Sequence, residues 1–322
     1  MKPSERVRML LRASFFALFV LAPPLDLLRF DLTQGHALFF GQPWLIGIDD
    51  FLDGSIGAGE LAVRVLVRVF LPLLAAALLL GIAFRWGRIY CGWLCPHFSV
   101  VELLNGLMRR TIGKHSLWDR QPLSLRRRDG TRLRPSAAWW PLTLGAALAF
   151  AFLWAVVLLT YLLPPAEVYA NLFTGRLTPN QARFIGIATA LFFLDFMLAR
   201  HLFCRFGCAV GLFQSLAWMA NRRAMVVGFD RRRARACQTC DNACDQACPM
   251  RLHPRTLKRH MFSCTQCGQC IRACETVQGP RPSLLRWVSG ACALGKGEGA
   301  AAQAAPGDCF SREKTAALPL GG

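Results

Sequence analysis

The stretch CTQCGQCIRAC, residues 264–274, sets Cys264, Cys267, Cys270 and Cys274 at C-x2-C-x2-C-x3-C spacing. Three thiolates on one tight loop reach three irons of a cubane, and the fourth, on the next helical turn, points at a second cluster. Such a run calls for a companion. CQTCDNACDQACP supplies it with Cys237, Cys240, Cys244 and Cys248, followed by Pro249, and its middle gap is one residue longer. The expected ligand sets are crossed: Cys237, Cys240 and Cys244 with Cys274, and Cys264, Cys267 and Cys270 with Cys248. Two [4Fe-4S] clusters held this way carry single electrons. Zinc also takes paired C-x2-C thiols, but a four-ligand zinc site gives no reason for the C-x3-C step present in both runs.

Two further pairs stand where apolar segments end. YCGWLCPHF carries Cys91 and Cys95, and CRFGC carries Cys204 and Cys208. Fourteen residues after Cys95 comes Arg109-Arg110, and fourteen after Cys208 comes Arg222-Arg223. Between lie two short amphipathic helices, one with Phe98, Val101, Leu104 and Met108 on its apolar face, the other with Leu212, Phe213, Leu216 and Met219. The pattern reads as an internal repeat that turns the two cysteine pairs toward each other. Pro96 suits a helix start, so Cys95 sits at a helix N-terminus, and with Arg85 and Arg88 nearby its thiol is expected to ionise easily. Cys208, beside Arg205 and after Gly207, is placed alike. Four such ligands suit Cu(I) or another thiophilic metal, or cycle as dithiols; a plainer reading is that small cysteines pack at helix ends. His97 and His201 flank the pairs as further possible ligands.

Elements must bring these groups together. Four blocks are long enough to span a bilayer: Met9–Leu28, Leu61–Phe84, Ala138–Leu163 and Arg183–Phe203. The chain is basic, with 38 Lys and Arg against 19 acidic residues. A nucleic-acid binder would be basic too, but without long arginine-free apolar runs, so the charge reads as topology. Lys2, Arg6, Arg8 and Arg12 precede or open the first block, and the 85–137 loop holds Arg126-Arg127-Arg128. The 30–60 loop has five acidic residues and neither Lys nor Arg. Both termini and the 85–137 loop are therefore expected in the cytoplasm. Inside the fourth block, Asp195 is expected to snorkel or pair with a nearby arginine, while Arg64 and Arg68 snorkel at the outer end of the second. The reducing side of the membrane disfavours a disulfide scaffold for the 14 cysteines.

GRIYCGWLCP, then CRFGCAVGLFQS, the two cluster runs and GPRPSLLRW together resemble the membrane polyferredoxins over residues 25–290. The resemblance is closest to oxidase accessory proteins of the FixG/CcoG type, and NapH- and NosR-like proteins share the membrane elements and clusters. It implies a bacterial inner-membrane protein that reduces Cu(II) to Cu(I) in haem–copper oxidase maturation, a cupric reductase or electron-transfer oxidoreductase. NapH- and NosR-like proteins imply instead a quinol-linked donor to a periplasmic reductase. A third reading is a non-catalytic assembly scaffold with structural clusters. This chain departs in its longer first run and in Ala209, where the family has proline. The family's further span and extracytoplasmic domain do not follow the cluster runs.

The expected architecture is mainly α: four transmembrane helices as two parallel hairpins, with a small α+β two-cluster ferredoxin-like domain in the cytoplasm. Residues 1–225 form the membrane domain, 226–290 the cluster domain and 291–322 a flexible tail holding Cys292 and Cys309. Cluster ligands are Cys237, Cys240, Cys244, Cys248, Cys264, Cys267, Cys270 and Cys274. Metal ligands at the membrane edge are Cys91, Cys95, Cys204 and Cys208, with copper as their ion. Partners are lipid, a cytoplasmic reductant or quinol as donor, and a copper ion or an oxidase or reductase assembly partner; nucleic acid is excluded.

Overall fold

The computed structural model describes residues 3–119, 134–237, 240, 242–256 and 258–289. The Arg126–Arg128 run and the 291–322 tail with Cys292 and Cys309 lie outside the described residues. The chain opens with helix α1 (Pro3–Leu21), which stops short of Pro23-Pro24 because proline supplies no amide to continue it. A small antiparallel sheet follows, β1 (Leu28–Asp31), β2 (His36–Phe39) and β3 (Gln42–Pro43), with Leu28 opposite Phe39 and Asp31 opposite His36. After α2 (Ile48–Leu52) come the long α3 (Ala58–Trp86), the short α4 (Ile89–Trp93) and α5 (Pro96–Ile112). Helices α6 (Trp140–Thr160), α7 (Pro165–Phe173) and α8 (Pro179–Leu194) come next, α8 running on through a wide π-type turn at Asp195–Ala199. A second such turn, Phe203–Gly207, leads into α9 (Ala209–Ala220). The remaining elements are β4 (Met225–Phe229), α10 (Ala243–Gln246), α11 (Gln269–Gln278) and β5 (Leu285–Ser289).

Three helices are long and apolar enough to cross a membrane: Ala58–Trp86, Ala137–Thr160 and Pro179–Ala199. They coincide with three of the four expected blocks. The first block is placed differently. Its helix begins six residues earlier than Met9, ends at Leu21, and carries Glu5, Arg6, Arg8 and Arg12. It is not one of the three.

The described residues fall into two compact units. One is drawn from Met1–Ala13, Leu80–Ala146 and Asp195–Gly322, the other from Ser14–Leu79 and Ala147–Leu194. In the second unit, the β1–β2 hairpin is tied to the end of α6 by the Phe30 amide donating to the Tyr161 carbonyl at 2.9 Å. Arg29 and Thr33 donate to the buried Asp31 carboxylate; burial opposes its charge, but these bonds hold its pKa down to about 2. Arg64, expected to snorkel, pairs with Asp50 at 2.8 Å and Glu60 at 2.7 Å.

The first unit is organised around Glu102 on α5. Arg8 donates to it at 2.7 Å, Arg12 does so as well, and Gln269 of α11 donates at 2.6 Å. Arg8 also donates through Nε to the Gly92 carbonyl at 2.9 Å. Two arginines read as topology signals are thus internal ligands of one carboxylate. Phe98, Val101, Leu104 and Met108 are buried, as the spacing predicts. On α9 the spacing misleads. Gly211, Gln214, Ser215 and Trp218 are the buried face, and Leu212, Phe213 and Leu216 are exposed. Two of the inward groups make hydrogen bonds there: Ser215 donates to the Phe262 carbonyl at 2.8 Å and Trp218 to the Met225 carbonyl at 3.0 Å.

Glu102→Gln removes the charge that balances Arg8 and Arg12. Breaking one side of a buried pair leaves uncompensated charge, so the variant should lose about 3 kcal/mol. Thermal unfolding in detergent measures it, and an unchanged midpoint would count against this account.

Candidate functional site

Strands β4 and β5 pair antiparallel from Met225 opposite Ser289 to Phe229 opposite Leu285, with helices α10 and α11 between them in sequence. Gly268, at φ +70°, turns the second cysteine run into α11. Asn242, also at positive φ, does the same before α10. After these turns α11 carries Cys270 and Cys274, while α10 carries Cys244 and Cys248 follows its end.

Two cavities lie in this domain. One is lined by Cys237, Cys240, Cys244 and Cys274, together with Arg255 and Leu285. The other is lined by Cys248, Cys264, Cys267 and Cys270, together with Trp287 and Met261. Each cavity draws three thiols from one run and its fourth from the other, so all eight expected ligands line one of the two. The extra residue in the first run does not stop its triplet from converging. The Leu252 amide donates to Cys248 Sγ at 3.3 Å, a bond of the kind that stabilises metal-bound sulfur.

Burial drives these thiols toward their neutral form. It pushes Cys244 and Cys264 up to about 12, and raises Cys248 and Cys270 as well. Arg255 works against this at Cys244, and Arg88 at Cys264. Ligation must therefore supply the deprotonation, which is the usual coupling between metal binding and thiol ionisation.

The edge cysteines lie in the same unit. Cys95 caps α5 with Pro96 in its first turn, and Cys208 caps α9, so both helix-start placements hold. Cys204 has Cys95, Cys91 and Cys208 as electrostatic neighbours, and Cys91 has Cys208. The two pairs come together. The expected easy ionisation does not hold: burial pushes Cys95 up to about 11 and also raises Cys91 and Cys204. Local charge and helix-end amides count for less here than lost solvent. Arg85, one of the expected activators, lies over the Trp86 ring.

The segment holding Cys91 packs directly on the loop holding Cys264 and Cys267. A methyl group at Gly92 would stand 2.0 Å from the Thr265 carbonyl oxygen. Trp93 Nε1 donates to the Gln266 carbonyl at 3.1 Å. Among the described residues, no three His, Cys, Asp or Glu side chains gather closely enough to hold a single metal ion.

His97 faces away from the ligand role considered for it. Its Nε2 lies 3.5 Å from Asp195, and its ring stacks on Phe196. Burial holds its imidazole down to about 4, so it is neutral near pH 7 and the contact is not an ion pair. Asp195 thus meets a histidine, and Arg200 is its charged neighbour. Arg88, expected beside Cys95, lies among Cys91, Cys204 and Cys264, while Gln214 and Gln266 adjoin the thiols without having been singled out in the sequence. Only Gly92, set inside CGWLC, hinted at a close backbone approach.

Three membrane-length helices and a cysteine-lined ferredoxin-like domain define a membrane iron–sulfur protein. The comparisons agree. A family model described as a 4Fe-4S binding domain matches residues 68–115. The ferredoxin-type protein NapH of Haemophilus influenzae is 27% identical over 227 residues, 69% of this chain and 71% of that one. The methylamine utilization ferredoxin-type protein MauN of Paracoccus denitrificans is 29% identical over 55% of this chain and 54% of its own. The putative electron transport protein YccM of Escherichia coli is 24% identical over 62% of this chain and 54% of its own. No solved structure matches. The chain is thus similar to ferredoxin-type membrane electron-transport proteins, over 69% of its length in the case of NapH.

Crossed ligation has a direct test. Cys274→Ser should remove the cluster that Cys240→Ser removes and leave the one that Cys267→Ser removes, as read by EPR of reduced, anaerobic protein. Equivalence of Cys274→Ser with Cys267→Ser would show uncrossed ligation.

Proposed function

We propose that this chain is an electron-transfer protein of the bacterial inner membrane. Its two four-cysteine cavities would hold [4Fe-4S] clusters, and the edge thiols would form a redox site next to them. The observation that carries this is the exchange of fourth ligands between the two cavities. Zinc sites need no such exchange, whereas a pair of neighbouring clusters uses it. When bound, each cluster accepts and releases one electron. The chain's own groups do the rest. Trp287 and Met261 line one cavity, Leu284 and Leu285 the other, and they keep water from the sulfurs. Arg255 and Arg88 supply positive charge beside them.

The close approach at Gly92 supports the edge thiols as the neighbouring redox site. It sets the backbone next to Cys91 against that of Thr265 and Cys267. The copper expectation draws less support. Cys91 and Cys204 are each only 7% exposed, a poor setting for an ion that must arrive and leave. A scaffold with purely structural clusters is the rival, and reversible reduction separates the two. Stepwise dithionite titration should give two one-electron EPR signals from the ferredoxin-like domain that disappear again on anaerobic reoxidation. Clusters that stay EPR-silent at the lowest attainable potential, or fall apart on reduction, would favour the scaffold.

We also propose four spans with both termini cytoplasmic, α1 serving as the span with a charged start. Reporter fusions at Asp50 and Asn171 should read periplasmic, and fusions at Arg127 and Lys314 cytoplasmic. An exported reporter at Lys314 would overturn this topology.

A further inference from the structure

Three buried side chains around the edge thiols and the neighbouring loop keep donor groups that no acceptor meets. Arg88 is 1% exposed, and its Nε and Nη1 have no hydrogen-bond partner. Its Nη2 donates to the Cys204 carbonyl at 2.7 Å, and Cys91, Cys204 and Cys264 are its electrostatic neighbours. Gly211 makes room for it: a methyl group there would stand 2.1 Å from Nη2. Gln214 and Gln266 are as deeply buried, and the Nε2 of each is likewise unpartnered.

The two glutamines stand in the same relation to sulfur. Gln214 Oε1 lies 3.8 Å from Cys91 Sγ, and Gln266 Oε1 lies 3.7 Å from Cys264 Sγ. Cys264 is an expected cluster ligand, so Gln214 repeats at the edge what Gln266 does in the ferredoxin-like domain. A free thiol donates its proton to an amide oxygen. A metal-bound sulfur only accepts, and a half-turn of the amide brings Nε2 to it. The half-turn gives both stranded amide nitrogens an acceptor. N–H to sulfur bonds of this kind are the normal outer shell of cluster thiolates.

We infer that Cys91, Cys95, Cys204 and Cys208 hold a third, resident iron–sulfur centre, with Arg88 as its buried counter-charge and Gln214 as its amide donor. The inference rests on reading the ferredoxin-like domain as an iron–sulfur module. A buried guanidinium needs a negative partner, and four thiolates around an iron–sulfide core carry net negative charge. Like the eight module cysteines, these four are not gathered around a single-ion position. The family model for a 4Fe-4S binding domain covers Cys91 and Cys95 and none of the module cysteines.

The test is iron and acid-labile sulfide analysis of the full chain, purified anaerobically in detergent, with EPR redox titration. About twelve irons per chain are expected, eight of them in the module. Cys91→Ser combined with Cys204→Ser should lower the count to about eight and leave both module signals in place. Arg88→Met and Gln214→Leu should each keep the iron and shift one midpoint potential downward while the module's pair stays put. Loss of positive charge and loss of an N–H to sulfur bond both disfavour the added electron. Eight irons in the wild-type chain, or copper in place of iron at the edge thiols, would overturn the third centre and leave the module intact. Fewer than eight irons with no labile sulfide would overturn the module itself. Should the double serine variant lose all its iron, the Arg88→Met and Gln214→Leu potentials decide, and three unmoved potentials would reject the proposal.

Discussion

At Gly92 the backbone of the first cysteine pair runs against the backbone of the second cluster loop with no space for a methyl group. Neighbouring features serve the same approach. Gly87 turns at φ +79°, where a side chain would strike Gln266, and Trp93 fastens its indole to the Gln266 carbonyl. Two backbones this close fix the distance between their thiols more firmly than side-chain packing could. Arg8 adds a bond to the Gly92 carbonyl and joins it to Glu102. Gln269, at the start of α11, reaches the same carboxylate. The arrangement of cysteine runs, helix starts and N-terminal segment in this unit follows from that one seam.

Charge is the second constraint. Burial makes most of the cavity and edge thiols resist ionisation, and the cations beside them are few, with Arg88 buried and Arg255 partly exposed. Lys258, another buried cation, closes the C-terminal end of α9 by donating to the Trp218 and Asn221 carbonyls at 2.8 Å and 2.6 Å. It thereby ties the segment before the second cysteine run to the helix that Cys208 begins. Lys258 satisfies helix carbonyls and Arg8 and Arg12 a carboxylate, whereas Arg88 donates to one carbonyl and leaves two nitrogens without a hydrogen-bond partner.

Much of this was legible in the sequence, and the reasons differ by residue. The grouping of eight cysteines into two cavities was legible because their spacing is that of cubane ligand runs. Cys95 and Cys208 were legible as helix starts, the first because Pro96 fits the first turn. The α5 face followed from periodicity. The α9 face did not, because periodicity assumes water outside, and beside a membrane the apolar side turns outward. Arg8 and Arg12 were legible as charges but not as partners of Glu102, some ninety positions away in the chain. Arg88 was legible as a charge near Cys95 but not as a partner of Cys204, and Gln214 was invisible, because those neighbours are more than a hundred residues distant.

The β4–β5 pairing sets Met225 opposite Ser289. Entry to the cluster-bearing segment and exit from it therefore lie side by side, like the two ends of a looped cord pinched together. A cassette with adjoining ends is transferable: it leaves and rejoins the fold at one place, so it could be grafted after another helix. The seam at Gly92 is what such a transplant would have to recreate. Recombination could thus move the electron-carrying part as one piece, while the membrane part that receives it must already carry a glycine between its cysteines.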